Sequence, residues 1–426
     1  MFVATIFGAF LILAAIGIPL SLALVAGTAL PIALFTTTNL QVIVQRFFNA
    51  VNQYSLMAIP LFVISGALLD KGGVSKRLVR FANSLVGWMP GGLAIVAFLA
   101  SAFFGAISGS SLATVAAIGA IVVPSMLDEG YPLPFALSTV ASAGWLGIII
   151  PPSIPMVLYG TAGNVSVGDL FLAGVLPGII LMAGMACYSF YYGKKYLPSR
   201  KKFSTAEVWN SFRDAIWAIG MPVIILGGIY GGIFTPTEAA AVACLYGFLV
   251  GIFIYRELNW KLLKEIMHSS VITTSFIMFI CASATAYGYV MTMEMIPTKV
   301  ANYIISIASN KLSFLALVTI LLLIVGTFMD TAPAMMILAP ILVPILPTYG
   351  IDPVAFGIIM TVNLGIGLVT PPVGMNLYVA ASIRKVPVST VINKHLLIYM
   401  LIAFLLLCLF MLVPDIILFV PNLFGG

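Results

Sequence analysis

The apolar positions of the chain form long continuous runs that short polar segments separate. A membrane-spanning helix needs about 20 mostly apolar residues, because the hydrocarbon core of a bilayer is about 30 Å thick. Charged side chains are rare inside these runs, so the pattern predicts an all-α protein that crosses the membrane many times. The predicted runs are 3–36, 54–69, 92–127, 133–159, 170–192, 214–234, 238–255, 270–292, 313–347, 354–382 and 396–421. Gly17 and Pro19 interrupt the first run, which favours two short helices there.

Composition supports this class and excludes others. Of the 426 residues, 62% are hydrophobic and 8% are charged, and the mean hydropathy is +1.17. A soluble domain carries about 25% charged residues, so a soluble enzyme, a disordered chain and a coiled coil are excluded. Outer-membrane barrels alternate polar and apolar residues in short strands, unlike these runs. The lipid bilayer is therefore the predicted environment. The net charge of +6 lies in clusters between runs, and nucleic acid is not a predicted partner.

The basic clusters test how the runs cross the membrane. The positive-inside rule assigns such clusters to the cytoplasm. Three apolar units lie between the first two clusters, which would place those clusters on opposite sides. The conflict disappears if run 92–127 enters and leaves by the same face as a re-entrant hairpin. Run 313–347 fits a second hairpin, entered from the outside. The clusters are 71–80, 194–202 with Arg213, 256–264 and 384–394.

An internal repeat relates the two hairpin regions at an offset of 220 residues. Gly147 aligns with Gly367, and Pro151-Pro152 aligns with Pro371-Pro372. These residue types fix backbone geometry, so their agreement carries more weight than other identities. By the positive-inside rule, the first hairpin opens to the cytoplasm and the second to the outside. The two repeats are therefore inverted. Paired Gly/Pro-interrupted segments in inverted halves indicate the binding site of a secondary transporter.

Each half thus combines a hairpin tip with a broken helix. A tandem proline removes two backbone donors, and the freed carbonyls need partners in a dry environment. Na⁺, a hard cation, prefers several oxygen ligands and could supply that need. The N-terminal ends of the half-helices can hold an anionic substrate. Alternatively, the prolines only kink two helices, and Ser and Thr side chains satisfy the carbonyls.

The predicted site residues lie at these tips and breaks. Asp330 is the only acidic residue deep inside an apolar run, and such carboxylates are functional candidates by default. It could be a cation ligand or a protonated structural group. The predicted Na⁺ ligands are Ser108, Ser110, Gly147, Pro151, Thr327, Asp330, Gly367 and Thr370. The predicted substrate-binding residues are Ser111, Thr114, Ser153, Thr331 and Asn376.

Two further patterns have local interpretations. Segment 74–88 is amphipathic and predicts an arm lying in the membrane surface, with a plain cytoplasmic loop as the alternative. The sequence Thr235-Pro236-Thr237-Glu238 predicts a helix N-terminus, with Thr235 as the cap and Glu238 at the third position.

Six motifs in both halves resemble the large membrane (M) subunit of tripartite ATP-independent periplasmic (TRAP) transporters. They are GAISGSSL at 105–112, GIIIPPSI at 147–154, VGDLFLAGVLPGI at 167–179, GIFTPTEAAAVAC at 232–244, MDTAPAMM at 329–336 and LVTPPVGMNL at 368–377. The resemblance implies an elevator-type fold with two re-entrant hairpins and two broken helices, in the bacterial inner membrane. It implies Na⁺-coupled import of a small organic acid, such as sialic acid or a C4-dicarboxylate. The implied partners are a periplasmic substrate-binding protein and a separate small membrane (Q) subunit.

The resemblance also predicts a division into a scaffold and a mobile transport domain. Residues 1–90 would be scaffold helices with an amphipathic arm, and 91–165 the first transport half. Residues 166–312 would be scaffold with a second arm, 313–385 the second transport half, and 386–426 a C-terminal scaffold helix. In the predicted mechanism, two Na⁺ sites form at the tip and break pairs, and the substrate binds between them.

Other functions fit the sequence less well. Intramembrane catalysis would need a Ser/His, paired Asp or HExxH constellation in the spans, and the sequence has none. A channel has no need of inverted hairpins that meet at one site. Within transporters, the alternative is a self-sufficient Na⁺- or H⁺-coupled anion symporter. Dependence on a soluble binding protein distinguishes it from the tripartite class.

Overall fold

The computed structural model describes residues 2–36, 39–196, 202–308 and 310–424, and it assigns no β-strand within them. In this part of the chain, nine helical segments are long and apolar enough to cross a membrane. Arg200 and Lys201 of the predicted basic cluster 194–202 lie outside the described residues. The predicted all-α polytopic fold is confirmed.

The described residues of the first half form ten α-helices. They are α1 (Phe2–Ala15), α2 (Leu20–Phe35), α3 (Gln41–Val51), α4 (Ala58–Lys71), α5 (Val74–Val86), α6 (Gly92–Ser108), α7 (Ser111–Asp128), α8 (Leu133–Gly144), α9 (Ile154–Gly163) and α10 (Val167–Tyr196). Gly17 separates α1 from α2 with φ +87°, a conformation that glycine adopts without steric cost. The predicted interruption of run 3–36 is therefore confirmed.

The second half supplies ten more. They are α11 (Thr205–Tyr230), α12 (Pro236–Leu249), α13 (Trp260–Met293), α14 (Ile296–Ile307), α15 (Lys311–Phe328), α16 (Thr331–Leu342), α17 (Pro353–Gly367), α18 (Met375–Arg384), α19 (Lys394–Leu412) and α20 (Asp415–Leu423). Thr235 and Glu238 form the predicted capping box at the start of α12.

Two elements differ from the predicted runs. Run 396–421 is two helices, because the chain leaves helical geometry at Val413 and restarts as α20 after Pro414. Helix α3 was not predicted. It is amphipathic and short, so it gives no long apolar run. It packs on α13, which also contacts α2.

The repeat at offset 220 extends beyond the hairpins to most of the molecule. Helices α6 to α9 correspond to α15 to α18, and α10 corresponds to α19. The arm α5 corresponds to α14, and α3 with α4 corresponds to the single long helix α13. The predicted inverted repeat therefore organises most of the fold.

Two re-entrant hairpins and two broken helices form the centre of the fold, as predicted. Hairpin 1 is α6 and α7, joined at Gly109 and Ser110, and hairpin 2 is α15 and α16, joined at Met329 and Asp330. Break 1 (residues 149–153) separates the α8 segment from α9, and break 2 (368–374) separates α17 from α18. Both Pro-Pro peptide bonds, one in each break, are cis.

Packing divides the helices into two groups. The scaffold group consists of α1–α5 and α11–α14. In it α4 packs on α12 and α13, whereas the arm α5 packs equally on α11 and on the hairpin helix α6. The hairpin group consists of α6–α10 and α15–α20. Helices α10 and α19, which the sequence analysis places in the scaffold, pack on α6, α8 and α17 of the hairpin group. The predicted domain boundaries stay predictions, and this packing favours moving α10 and α19 to the hairpin side.

Candidate functional site

The tip of hairpin 1 gathers oxygen atoms from both of its arms. The Thr114 hydroxyl donates to the Ser110 carbonyl at 2.7 Å and lies 3.3 Å from the Ser108 hydroxyl. The Ser108 hydroxyl lies 3.5 Å from the same Ser110 carbonyl. Ser110 also caps α7, because its side chain accepts from the Ala113 N–H. Three of the predicted residues therefore share one small polar cluster.

Break 1 lies directly against this tip. The Ile154 N–H donates to the Gly109 carbonyl at 3.2 Å. A Cβ atom on Gly147 would lie 2.4 Å from the Thr114 hydroxyl oxygen and 2.8 Å from the Ser110 carbonyl oxygen. Only glycine lets the backbone of the broken helix approach the tip this closely. Position 147 of the predicted motif is therefore glycine because a larger residue would clash with the hairpin tip.

The same pairing recurs in the second half. The Gly374 N–H donates to the Thr327 carbonyl at 3.1 Å and ties break 2 to hairpin 2. A Cβ atom on Gly367 would lie 2.6 Å from the Gly326 Cα atom, as one on Gly105 would from Gly147 in the first half. Each hairpin therefore contacts its own broken helix through a glycine pair, which confirms that the predicted segments meet.

The tandem prolines change the carbonyl partners in both breaks. Pro151 cannot donate to the Gly147 carbonyl four residues earlier, because proline has no N–H. The Ile148 carbonyl, opposite Pro152, instead accepts from the Ser153 hydroxyl at 2.6 Å. In break 2, the Thr370 N–H donates to the Gly367 carbonyl at 3.0 Å. The predicted alternative, in which local hydroxyl groups satisfy the freed carbonyls, therefore applies to Ser153.

Asp330 is the N-cap of α16 at the tip of hairpin 2. Its carboxylate accepts from the Thr331 N–H at 2.7 Å and from the Thr331 hydroxyl at 3.3 Å. A carboxylate at a helix N-terminus is favoured by the helix dipole. Asp330 therefore has a structural contribution at the position where the sequence also predicts a cation ligand.

Asn376 joins the two halves of the site. Its side-chain oxygen accepts from the Ser111 hydroxyl at 2.9 Å, and its amide nitrogen donates to the Ala141 carbonyl at 3.1 Å. Asn376 begins α18 in the second half, whereas Ser111 and Ala141 belong to the first. Conversely, α16 of the second half packs on α9 of the first. The half-helix that follows each break therefore packs on the hairpin of the other half: α18 on α7, and α9 on α16.

A cavity of about 610 Å³ lies between hairpin 1 and the scaffold helices α4 and α13. Ser108 and Ser110 line it from the hairpin tip, together with Ile154 at the start of α9. Gly66 of α4 lies opposite, and a Cβ atom there would be 3.1 Å from the Ser108 Cα atom. Four of the predicted substrate-binding residues do not line the cavity but lie behind its wall, with their side chains hydrogen-bonded to other protein groups. They are Ser111, Thr114, Ser153 and Asn376.

The other end of the cavity carries charged side chains. Asp70 accepts from the Ser75 hydroxyl at 2.5 Å, and Glu257 pairs with Arg77 at 2.7 Å. Lys71 and Lys76 line the same mouth and form no ion pair within the described residues. Because Arg77 neutralises Glu257, the two lysines outnumber the remaining carboxylate, Asp70, and the mouth favours anions.

Comparison with known proteins identifies the family. Residues 7–416 match the family described as tripartite ATP-independent periplasmic transporter, DctM component. The chain belongs to this family.

The DctM match covers nearly the whole chain and agrees with individual relatives. The C4-dicarboxylate TRAP transporter large permease protein DctM of Pseudomonas aeruginosa is 43% identical over 399 residues, which cover 93% of each protein. The isethionate TRAP transporter permease protein DctMQ of Oleidesulfovibrio alaskensis is 39% identical over 424 residues. That alignment covers 99% of this chain but 66% of the relative, so the chain spans about two thirds of that protein's length.

A solved structure has a similar fold. The crystal structure of the Alcanivorax borkumensis YdaH transporter matches with a TM-score of 0.62 and 16% identity, covering 92% of this chain and 95% of that one. DctM components are transporter permeases of the inner membrane, so the predictions of a non-enzymatic protein and of its location are confirmed. Neither the sequence relatives nor this fold assigns a role to individual site residues.

Proposed function

We propose that the chain is the large permease of an importer that couples uptake of a small organic acid anion to Na⁺. The observation that carries the proposal is the pairing of each hairpin tip with a broken helix in both halves. This is the architecture in which secondary transporters bind ions and substrates near the membrane midplane. The family match over residues 7–416 supports organic acid transport by a tripartite system.

The donor atoms at the first tip suit Na⁺. The Ser108 and Thr114 hydroxyl oxygens and the Ser110 carbonyl oxygen lie within 2.7–3.5 Å of one another. A hard cation takes several such oxygens, and the Gly147 carbonyl, which Pro151 cannot engage, is a further candidate. We assign the second sodium ion to the tip of hairpin 2, with Asp330, Thr327, Gly367 and Thr370 as candidate ligands.

The proposed substrate is an organic anion that binds in the cavity beside hairpin 1. Ser108 and Ser110 supply polar groups there, and the N-terminal ends of α7 and α9 add partial positive charge. The two lysines at the mouth also attract an anion. We expect a carboxylate or a related acid, in keeping with the C4-dicarboxylate and isethionate transporters among the relatives.

The proposed partners are a small membrane subunit and a periplasmic binding protein. The family name describes a tripartite system, of which a DctM component is one part. The alignment with the relative named DctMQ covers 66% of that protein. We propose that this chain works together with a small membrane subunit of the same transporter.

Comparison of the two halves supports an inward-facing conformation. Helix α16 packs along α13, whereas its repeat partner α7 is separated from α4 by the cavity. Ala67 and Asp70 of α4 line the cavity, but their counterparts Tyr287 and Val290 of α13 are buried. In the proposed elevator cycle, the hairpin group slides along the scaffold group and exchanges these two arrangements.

Uptake by reconstituted protein tests the proposal. Proteoliposomes would contain this chain and its small membrane subunit, with succinate, N-acetylneuraminate and isethionate as labelled probes. We expect uptake of at least one acid only when an inward Na⁺ gradient and the periplasmic binding protein are both present. Na⁺-driven uptake without the binding protein would instead support the self-sufficient symporter. Uptake that ignores the Na⁺ gradient would overturn sodium coupling.

A further inference from the structure

A groove of about 540 Å³ lies between the scaffold helices α12 and α13, with α4 as its floor. Both helices pack on α4 but make little direct contact with each other, so a gap remains between them. Ile64 and Leu68 of α4, Phe248 of α12 and Met267 of α13 are among the lining residues. We call this cavity the scaffold groove. It is separate from the cavity beside hairpin 1, which the proposed function uses.

The scaffold groove is apolar and open. Among the described residues that line it, Lys264 is the only charged one. The Cys244 thiol donates to the Leu61 carbonyl at 2.8 Å and is therefore not free to bind a ligand. Leu245 and Trp260 are 60% and 73% exposed. Inside a bilayer such a surface is covered by apolar groups, either of a lipid or of a partner protein.

The length of the scaffold groove distinguishes these two occupants. Trp260 lies in the basic cluster 256–264, which the positive-inside rule assigns to the cytoplasmic side. From Trp260 to Met267, α13 rises about 10 Å, at 1.5 Å per residue. The hydrocarbon of one leaflet is about 15 Å thick, whereas a spanning helix of a partner would run through about 30 Å. The groove therefore fits an acyl chain of the cytoplasmic leaflet better than a membrane-spanning helix.

Lys264 directs a positive charge toward the cytoplasmic end of the groove. Side chains of a helix point toward its N-terminus, and a lysine in a span extends its ammonium group to the interface. The Lys264 Nζ atom lies 5.9 Å from the centre of the Trp260 ring, which is one turn closer to the cytoplasm. Tryptophan is a residue type that anchors spans at the level of the headgroups. The groove therefore ends beside a cation at the depth of the lipid headgroups.

The segment around Lys264 keeps a net positive charge. Three basic residues lie in segment 256–265, and none forms an ion pair within the described part of the chain: Arg256, Lys261 and Lys264. One of its two carboxylates, Glu257, is neutralised by Arg77, which leaves Glu265. Basic groups between spans on the cytoplasmic side bind anionic lipid headgroups.

We propose that the scaffold groove binds an anionic phospholipid of the cytoplasmic leaflet. One acyl chain lies in the groove, and the phosphate lies beside the Lys264 ammonium group. Because α4, α12 and α13 all belong to the scaffold group, the lipid remains bound while the hairpin group moves. The site depends on neither sodium coupling nor the transported acid, so it can be tested apart from transport.

Phospholipids brominated on their acyl chains test the proposal, because bromine quenches the fluorescence of a tryptophan that it contacts. The chain and its small membrane subunit would be reconstituted in mixtures of plain and brominated phosphatidylglycerol and phosphatidylcholine. The contribution of Trp260 is the signal that Trp260→Phe removes. We expect phosphatidylglycerol to bind the site about fivefold more strongly than phosphatidylcholine, which is the effect of one basic group near an anionic headgroup. Lys264→Gln should remove most of this preference, measured against the same variant with Trp260→Phe.

Lys194→Gln is the matched control, because Lys194 is exposed at the cytoplasmic end of α10 and does not line the groove. It should keep the preference. Equal binding of the two lipids by the wild type, or an unchanged preference in Lys264→Gln, would overturn the proposal. Equal losses in the two lysine variants would also overturn it, since general surface charge would then suffice. If neither lipid quenches Trp260, the small subunit covers the groove, and the proposal is wrong.

Discussion

At the residue scale, Asp330 combines a capping group with a charge, and one substitution separates the two. Asparagine is as good an N-cap as aspartate, so Asp330→Asn should keep α16 folded. It removes the carboxylate charge that the proposal assigns to a sodium ligand. We expect the half-saturating Na⁺ concentration for uptake to rise severalfold, measured by varying external Na⁺ at constant osmolarity.

Asp352→Asn is the control for this prediction. Asp352 caps α17, accepting from the Val354 and Ala355 N–H groups at 2.8 and 2.9 Å, and it lies away from the hairpin tips. Its substitution should leave the sodium dependence unchanged. If Asp330→Asn folds and also keeps the wild-type sodium dependence, Asp330 is a structural cap only.

Gly147 should tolerate no side chain. In Gly147→Ala, the new Cβ atom would overlap the Thr114 hydroxyl and approach the Ser110 carbonyl, so the break must move away from the tip. Overpacking of this kind costs about 1–3 kcal/mol of unfolding free energy. Thermal unfolding in detergent should show a lower midpoint, together with lost uptake.

Gly227→Ala in α11 is the control, because nothing lies within 4 Å of its Cβ position. Equal stability of the two variants would contradict the predicted clash.

Some of these residues can be recognised from the sequence, but their contacts cannot. Gly147, Ser110 and Asp330 stand out because glycines, prolines and polar groups are rare inside long apolar runs. The partners of Asn376 do not stand out, because Ser111 and Ala141 lie in the other half of the chain. Only the structure shows which hydroxyl and carbonyl groups meet across the two halves.

At the element scale, the arm α5 is held to the scaffold by a partly buried ion-pair network. Arg77 contacts Glu257 at 2.7 Å and Asp214 at 3.4 Å, donates to the Gly73 carbonyl, and stacks 3.7 Å from the centre of the Tyr255 ring. These contacts join α5 to α11 and to the segment before α13. The predicted amphipathic helix is confirmed, and its polar face has specific partners.

Removing Arg77 should loosen this arm. We expect Arg77→Ala to lower the free energy of unfolding by about 1–2 kcal/mol, because it leaves charged hydrogen-bond partners unpaired. Lys76→Ala is the control, since Lys76 is exposed and has no ion pair within the described residues. Chemical unfolding followed by tryptophan fluorescence measures both. A variant at Arg77 as stable as the one at Lys76 would show that the network contributes nothing.

Hairpins and broken helices were predictable because their interruptions have a residue signature. The Gly and Ser residues of 105–111 and the Pro-Pro pairs mark places where a continuous helix cannot form. Helix α3 was missed because its apolar stripe is confined to one face of a short helix. The end of α19 at Leu412 was missed because apolar residues continue on both sides of Val413 and Pro414.

At the scale of the whole molecule, hydropathy cannot assign helices to one group or the other. In a bilayer, lipid-facing and protein-facing surfaces are both apolar, so α10 and α19 look like any other span. Their buried contacts favour the hairpin group. The Tyr399 hydroxyl of α19 lies 2.8 Å from the Ser189 hydroxyl of α10 and 3.2 Å from that of Thr139 in α8. These bonds tie both helices to the hairpin group.

In the proposed transport cycle hairpin 1 moves against α4, and a reversible cross-link between the two measures whether this motion is required. A Cβ atom on Gly66 would lie 3.5 Å from the Ser108 Cβ atom, a separation that a disulfide can bridge. In a Gly66→Cys/Ser108→Cys protein, oxidation should fix the conformation described above. It should abolish the uptake that the reduced protein retains at raised Na⁺ concentration, since Ser108 is itself a proposed sodium ligand. Reduction should restore the activity of the reduced double variant, and each single variant should be insensitive to oxidation. Uptake that continues at an unchanged rate after complete cross-linking would contradict the account.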